Sequence, residues 1–359
     1  MGLNLNLRDA RGAPADDSNR LGHLEGGAKA TFFARLWGGI TLNNHDEPFF
    51  RHYTQCCNLA RSSRHAHLVA SRNNNDVLDV VDEVKTGTAR EEVIQRLVAF
   101  MHSKGNYDAG DDVITAECIL ALAMRTWLMC NLGSLGGEVN IDQRQLRWER
   151  GSIQSLLKDA FPVEYKVKER VRLDRSFKAL NLEALASIEV LWTDNLLDHL
   201  LLHDPSDDGR PFRVLLFHHT RFLEYHRKSD IFPPGFIAET TKTLALLLPG
   251  YDKATRQWFN KERKRNKGLD ETACMCGFLD ADQRSIDSFV FWRDRLAILK
   301  QAYDESEPRT VLQWWKDGRN SVQWATFWVA VLVLALTVFL GVVQVVEGGL
   351  QVYKAYHPS

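Results

Sequence analysis

The chain has 359 residues, 25% of them charged and 45% hydrophobic, which is typical of a globular protein with one large domain or two ordinary ones. A net charge of −1 excludes the strong positive field with which basic proteins attract nucleic acid. The six cysteines lack the spacing of a disulfide framework or a zinc finger, so we expect free thiols in a reducing compartment.

The first 75 residues give the weakest structural signal. Residues 1–30 are polar and glycine-rich, and Met1–Asp17 lacks the continuous apolar segment of a signal peptide. The first apolar pattern consists of Phe32, Phe33, Leu36 and Trp37. We therefore predict that residues 1–75 are poorly ordered and that the folded domain covers residues 76–305.

Helical patterns dominate the next part of the chain. Thr88 and Glu91 have the spacing of a capping box, which predicts that a helix begins there. Another helix is predicted over Ser152–Phe161, before Pro162. Between them, Ile114–Leu132 is almost continuously apolar, but Glu117 and Arg125 interrupt it. Its uncharged part is too short to cross a bilayer, so we predict a buried central helix.

Two short apolar segments in the middle of the chain predict β-strands. Ile188–Trp192 and Arg213–Phe217 each precede a helical pattern, and further helices are predicted over Phe236–Leu248 and Ile286–Tyr303. The predicted fold class is therefore mostly α with a small β-sheet, of α/β or α+β type.

Motifs of common enzymes are missing from the sequence. We find no phosphate-binding G-x-x-x-x-G-K-[ST], no G-x-G-x-x-G after a strand, no G-x-S-x-G and no H-E-x-x-H. We accordingly predict a protein that is not an enzyme and needs no cofactor.

The strongest candidate metal ligands are Asp194, Asp198 and His199, with His203 close by. Their spacing of four and five residues would place several of them on one face of a helix, where oxygen and imidazole ligands suit a divalent ion. The alternative interpretation is that Thr193 or Asp194 caps a helix and the others form its solvated face.

Three further patterns have weaker functional interpretations. His218 and His219 follow a buried strand, with His226 downstream, but adjacent strand residues point to opposite faces. Cys274-Met-Cys276 could bind a soft metal, although two thiols on a loop suffice to explain it. The basic run 253–267 could contact anionic lipid, but a solvated face or loop explains it as well.

The most informative segment is Trp324–Val346, in which 23 consecutive residues carry no charged side chain. A bilayer core of about 30 Å needs about 20 apolar residues of helix, so we predict a transmembrane helix over 324–346. Residues 306–323 form a juxtamembrane segment and 347–359 a short tail, which is the arrangement of a tail-anchored protein. Aromatic residues flank both membrane interfaces; they are Trp314, Trp315, Trp324, Trp328, Tyr353 and Tyr356.

Basic residues are distributed unevenly about this segment. Arg309, Lys316 and Arg319 precede it, and only Lys354 follows it. Positive charge is retained on the cytoplasmic side of membranes, so we predict a cytosolic domain ahead of the helix.

Several segments resemble a large family of uncharacterised membrane proteins of filamentous fungi. The resemblance covers roughly residues 76–357 and rests on segments such as Trp192–His199, Leu216–Leu223, Thr240–Pro249, Trp292–Lys300 and Val322–Trp328 with Gly341. Members are sometimes described as having a CorA-like transporter domain, which implies a cytosolic α/β domain feeding a membrane helix. CorA-type channels have two such helices and a Gly-Met-Asn loop, whereas this sequence has one span and no Gly-Met-Asn.

These patterns predict a single-pass membrane protein that contacts the lipid bilayer and acts as an interaction or regulatory module with a protein partner. One alternative is a homo-oligomeric CorA-like ion channel, with Thr337 and Gln344 lining the pore and Glu347 forming a carboxylate ring at its mouth. Another is a metal-dependent hydrolase that uses Asp194, Asp198 and His199. No nucleic-acid partner is expected.

Overall fold

The computed structural model describes residues 20–62, 73–103, 109–133, 135, 143–163, 171–204, 211–306 and 321–356. The α-helices within these residues are α1 (Gly26–Leu36), α2 (Glu47–Ser62), α3 (Asn74–Lys85), α4 (Arg90–Ser103), α5 (Ala109–Leu128), α6 (Ile153–Ala160), α7 (Ala179–Ala184), α8 (Thr220–Tyr225), α9 (Phe236–Leu247), α10 (Lys253–Arg265), α11 (Arg293–Glu305) and α12 (Ser321–Tyr356).

A small mixed sheet is inserted between α7 and α8. Its strands are β1 (Glu189–Thr193), β2 (Leu202–His203) and β3 (Arg213–Phe217), in the spatial order β1-β3-β2. β1 and β3 are parallel, and Thr193 pairs with Phe217 at their common carboxyl end. β2 is antiparallel to β3. The structure thus confirms the predicted fold class, a mostly helical protein with a small sheet and one apolar helix at the end.

Helix α5 is the buried central helix that the sequence predicts. It packs against α2, α3 and α4, and most of its residues from Ala116 to Leu128 are buried. It ends at Leu128, four residues earlier than predicted, where Met129 adopts a positive φ of 47°. The buried Arg125 guanidinium donates hydrogen bonds to the carbonyls of Leu132 and Gly133, so its N–H donors have acceptors inside the fold.

The described part of the region predicted to be poorly ordered, residues 20–62 and 73–75, contains two complete α-helices. Within residues 20–62, α1 and α2 contribute Phe32, Phe33, Phe50 and Tyr53 to the hydrophobic core. Aromatic pairs join the two helices; the ring centroids of Phe32 and Tyr53 are 4.8 Å apart. A polar sequence with few apolar residues can therefore be ordered when those residues are aromatic and lie on one helix face.

The other predicted strands and the later helices agree in type and differ at their ends, whereas the helical pattern after β1 forms only a 3₁₀ turn at Leu196–Asp198. β1 and β3 lie within one residue of the predicted strands, and α9 matches Phe236–Leu248. The last helix of the domain begins at Arg293, because a short 3₁₀ turn at Ile286–Ser288 precedes it. The basic run 253–267 largely coincides with α10, which buries Thr255 and Phe259 and exposes much of its charge.

Candidate functional site

The carboxyl ends of β1 and β3 bring a cluster of polar residues together. Asp194 follows Thr193 of β1, and His218 and His219 follow Phe217 of β3. The two strands are parallel and neighbouring, so the residues after them meet at one edge of the sheet. His52 reaches the same edge from α2. We call Asp194, His52, His218 and His219 the carboxylate–histidine cluster.

The three imidazoles of the cluster converge on one carboxylate. His219 Nε2 lies 2.6 Å and His218 Nε2 lies 3.1 Å from Asp194 Oδ1. His52 Nδ1 lies 3.8 Å from Asp194 Oδ2. All three histidines are buried, whereas the Asp194 side chain is 35% exposed, so solvent reaches the cluster at the carboxylate.

Hydrogen bonds to the backbone determine which ring nitrogen carries the proton in His218 and in His52. The amide of Asp270 donates to His218 Nδ1 at 3.2 Å, so neutral His218 carries its proton on Nε2 and donates it to Asp194. His52 Nε2 lies 3.3 Å from the carbonyl of Arg125, which can only accept. This nitrogen therefore carries a proton, and Nδ1 is the atom of His52 that faces Asp194.

The environment keeps the cluster's carboxylate ionised. Burial alone would raise the pKa of Asp194, but the hydrogen bonds from His218 and His219, together with the nearby His52 imidazole, outweigh burial and hold that pKa well below its usual range. Burial and the neighbouring His218 lower the pKa of His219 to about 4. Burial opposes protonation of His52 too, yet Cys56 and Asp194 raise its pKa well above the usual value.

Cys56 extends the cluster by one residue. Its Sγ lies 3.5 Å from His52 Nε2, which gives the order thiol, imidazole and carboxylate that nucleophilic cysteine enzymes use. The Cys56 side chain is only 4% exposed, however, so a substrate cannot reach the sulfur in this conformation. The arrangement therefore favours a structural or metal-binding cluster over a catalytic thiol.

The structure separates the three residues predicted to share a metal. Asp198 accepts hydrogen bonds from the Arg144 amide at 2.8 Å and the Asn195 side chain at 2.8 Å. His199 bonds the Thr243 hydroxyl at 2.7 Å and the Phe217 amide at 3.2 Å. Of these three, Asp194 is the one whose side chain contacts other potential ligands among the described residues. The predicted helix is a single 3₁₀ turn at Leu196–Asp198, so the helical spacing on which the set was based does not apply.

Sequence reasoning singled out His218 and His219 but predicted that they point to opposite faces. Strand β3 ends at Phe217, so strand alternation does not extend to the pair, and the ring centroids lie 4.0 Å apart. His52 was missed because it lies in the region predicted to be poorly ordered. His226 is buried elsewhere and bonds the Trp127 carbonyl at 3.1 Å.

The second candidate site is helix α12. Residues Ala325–Tyr353 form the one candidate membrane span within the described part of the chain, with a mean hydropathy of 2.8 and no buried residues in the most apolar window. It includes most of the predicted span residues, namely Trp328, Thr337, Gly341, Gln344 and Val346, and also Glu347. Trp324 lies on α12 just before it.

Comparisons with protein-family models, with curated proteins and with solved structures found no match. The resemblance to a fungal membrane-protein family therefore stays a prediction.

Proposed function

We propose that this chain is a single-pass membrane protein whose globular domain serves as a non-enzymatic interaction or regulatory module on the cytosolic side. The observation that carries the proposal is the 29-residue segment Ala325–Tyr353, which is apolar enough to span and long enough at about 1.5 Å per residue. In water, its exposed valine and leucine side chains would form an apolar surface that soluble proteins avoid.

The polar groups of the span suit a lipid environment. The Thr337 hydroxyl donates to the Val333 carbonyl at 2.8 Å, so its hydrogen-bonding potential is met within the helix. Glu347 lies towards the end of the segment, where charged side chains reach the headgroups, and Lys354 follows the segment in the sequence. The excess of Arg and Lys before the helix supports the cytosolic orientation of the domain.

Flotation through a density gradient after alkaline carbonate treatment tests the membrane assignment. We expect the full chain to float with the lipid. The double variant Leu334→Arg/Val338→Arg should stay at the bottom, because each arginine near the centre of a span costs about 3 kcal/mol of insertion free energy.

The matched control is Leu334→Ile/Val338→Leu, which keeps the same positions apolar and should float like the unaltered chain. Release of the unaltered chain from the lipid, or flotation of the arginine variant at the control level, would refute the membrane span.

A further inference from the structure

Three buried imidazoles around one carboxylate are more than folding requires. The Asp194 carboxylate is 35% exposed and can accept hydrogen bonds from water, whereas each buried histidine must be desolvated. Here His52, His218 and His219 come from two separate parts of the chain and all face Asp194. His219 Nε2 lies 2.6 Å from one oxygen of Asp194 and His52 Nδ1 lies 3.8 Å from the other, so small side-chain movements would let these three groups share one metal ion.

We propose that the carboxylate–histidine cluster binds a divalent transition-metal ion of the Zn²⁺ type, with Asp194, His219 and His52 as ligands and His218 as a positioning residue. Zn²⁺ binds imidazole and carboxylate at about 2.0–2.2 Å, so neighbouring ligand atoms lie about 3.3 Å apart. The contacts of Asp194 with the two histidine ligands, at 2.6 Å for His219 and 3.8 Å for His52, lie on either side of this separation.

His52 has the second partner that metal-binding histidines usually have. Its Nε2–H points to the Arg125 carbonyl, which leaves Nδ1 as the atom available to the ion. The contact between Nδ1 and Asp194 Oδ2 is 3.8 Å, too long for a direct hydrogen bond but suited to two ligands of one ion. The carboxylate that favours a proton on His52 also favours a metal cation in its place.

His218 is suited to positioning the carboxylate instead. The Asp270 amide donates to its Nδ1, so its Nε2 carries the proton and donates to Asp194 Oδ1. Binding a metal through Nε2 would move the proton to Nδ1, opposite another N–H group. The ligand set is therefore Asp194, His219 and His52, with a fourth position open to water because Asp194 is partly exposed.

Isothermal titration of Zn²⁺ into the full chain, purified in detergent and stripped with EDTA, tests this site. We expect one ion per chain, and Co²⁺ should give the visible absorption of tetrahedral nitrogen and oxygen coordination. The variants His219→Ala, His52→Ala and Asp194→Asn should each lose the binding. His218→Gln should bind about 10- to 100-fold more weakly, which is the usual cost of removing an outer partner of a metal ligand.

The control variant is His23→Ala, which removes a histidine that is 56% exposed and should leave the titration unchanged. A thermal melt of each variant without metal reports whether it folds. Zn²⁺ should raise the melting midpoint of the unaltered chain and of His23→Ala. It should raise the midpoint of folded ligand variants only weakly or not at all. A flat titration of the unaltered chain with both Zn²⁺ and Co²⁺ would overturn the metal site. Full binding by His52→Ala with loss in His218→Gln would overturn the ligand assignment.

Discussion

Replacing Glu239 with Ala should lower the free energy of unfolding by about 4 kcal/mol, because backbone amides that lose their acceptors in a buried or partly buried position each cost about 1–3 kcal/mol. The Glu239 carboxylate accepts hydrogen bonds from the backbone amides of Val290, Phe291 and Trp292, each at 2.8 Å. These residues precede α11, so one side chain of α9 satisfies the amides at the start of another helix.

Urea unfolding of the full chain in detergent, followed by tryptophan fluorescence, measures this effect. Glu239→Gln keeps one acceptor oxygen and should show a smaller loss than Glu239→Ala. Glu92→Ala serves as the matched control, since Glu92 is 60% exposed and its ion pair with Arg96 is long, at 3.5 Å. If Glu239→Ala unfolded at the same urea concentration as the control, the proposed role of Glu239 would be wrong.

Asn74→Ala should lower the free energy of unfolding by about 3 kcal/mol, because it leaves several buried polar groups without partners. The Asn74 side-chain oxygen accepts from the Gly22 amide at 2.8 Å and the Tyr53 hydroxyl at 2.7 Å. Its amide group donates to the carbonyls of Arg20 at 2.9 Å and His23 at 3.0 Å. One buried asparagine thus attaches the segment before α1 to α2 and α3.

Limited proteolysis combined with the same urea unfolding tests this attachment. We expect new cleavage between residues 20 and 25 in Asn74→Ala together with the loss of stability. Asn75→Ala is the matched control, because the neighbouring Asn75 side chain is exposed on the same helix. Equal protease resistance of the two variants would show that the segment is held by other contacts.

The helices and strands with the strongest apolar patterns could be predicted from the sequence. Val214, Leu215, Leu216 and Phe217 are buried because β3 lies in the middle of the sheet, and a short apolar run followed by a helical pattern indicates such a strand. The uncharged segment from Trp324 predicted the long apolar helix α12, because its length and composition are those of a candidate membrane span.

The carboxylate–histidine cluster could be predicted only in part. Asp194, His218 and His219 stood out because they follow strands, but their convergence depends on the parallel pairing of β1 with β3, which a sequence does not display. His52 contacts a carboxylate that is far away in the chain, and its own helix gave a weak apolar signal. The set Asp194, Asp198 and His199 relied on helical spacing across a segment that forms a 3₁₀ turn.

The central claim, that α12 crosses a membrane and leaves the domain in the cytosol, is tested most directly by protease protection. For this test, one epitope tag is added before residue 20 and another after residue 359. Sealed microsomes that contain the tagged chain are then digested with protease, with and without detergent. We predict that the first tag is lost in sealed microsomes, and that the second tag survives until detergent opens them. Digestion of both tags, or protection of both, in sealed microsomes would contradict the single membrane-spanning helix.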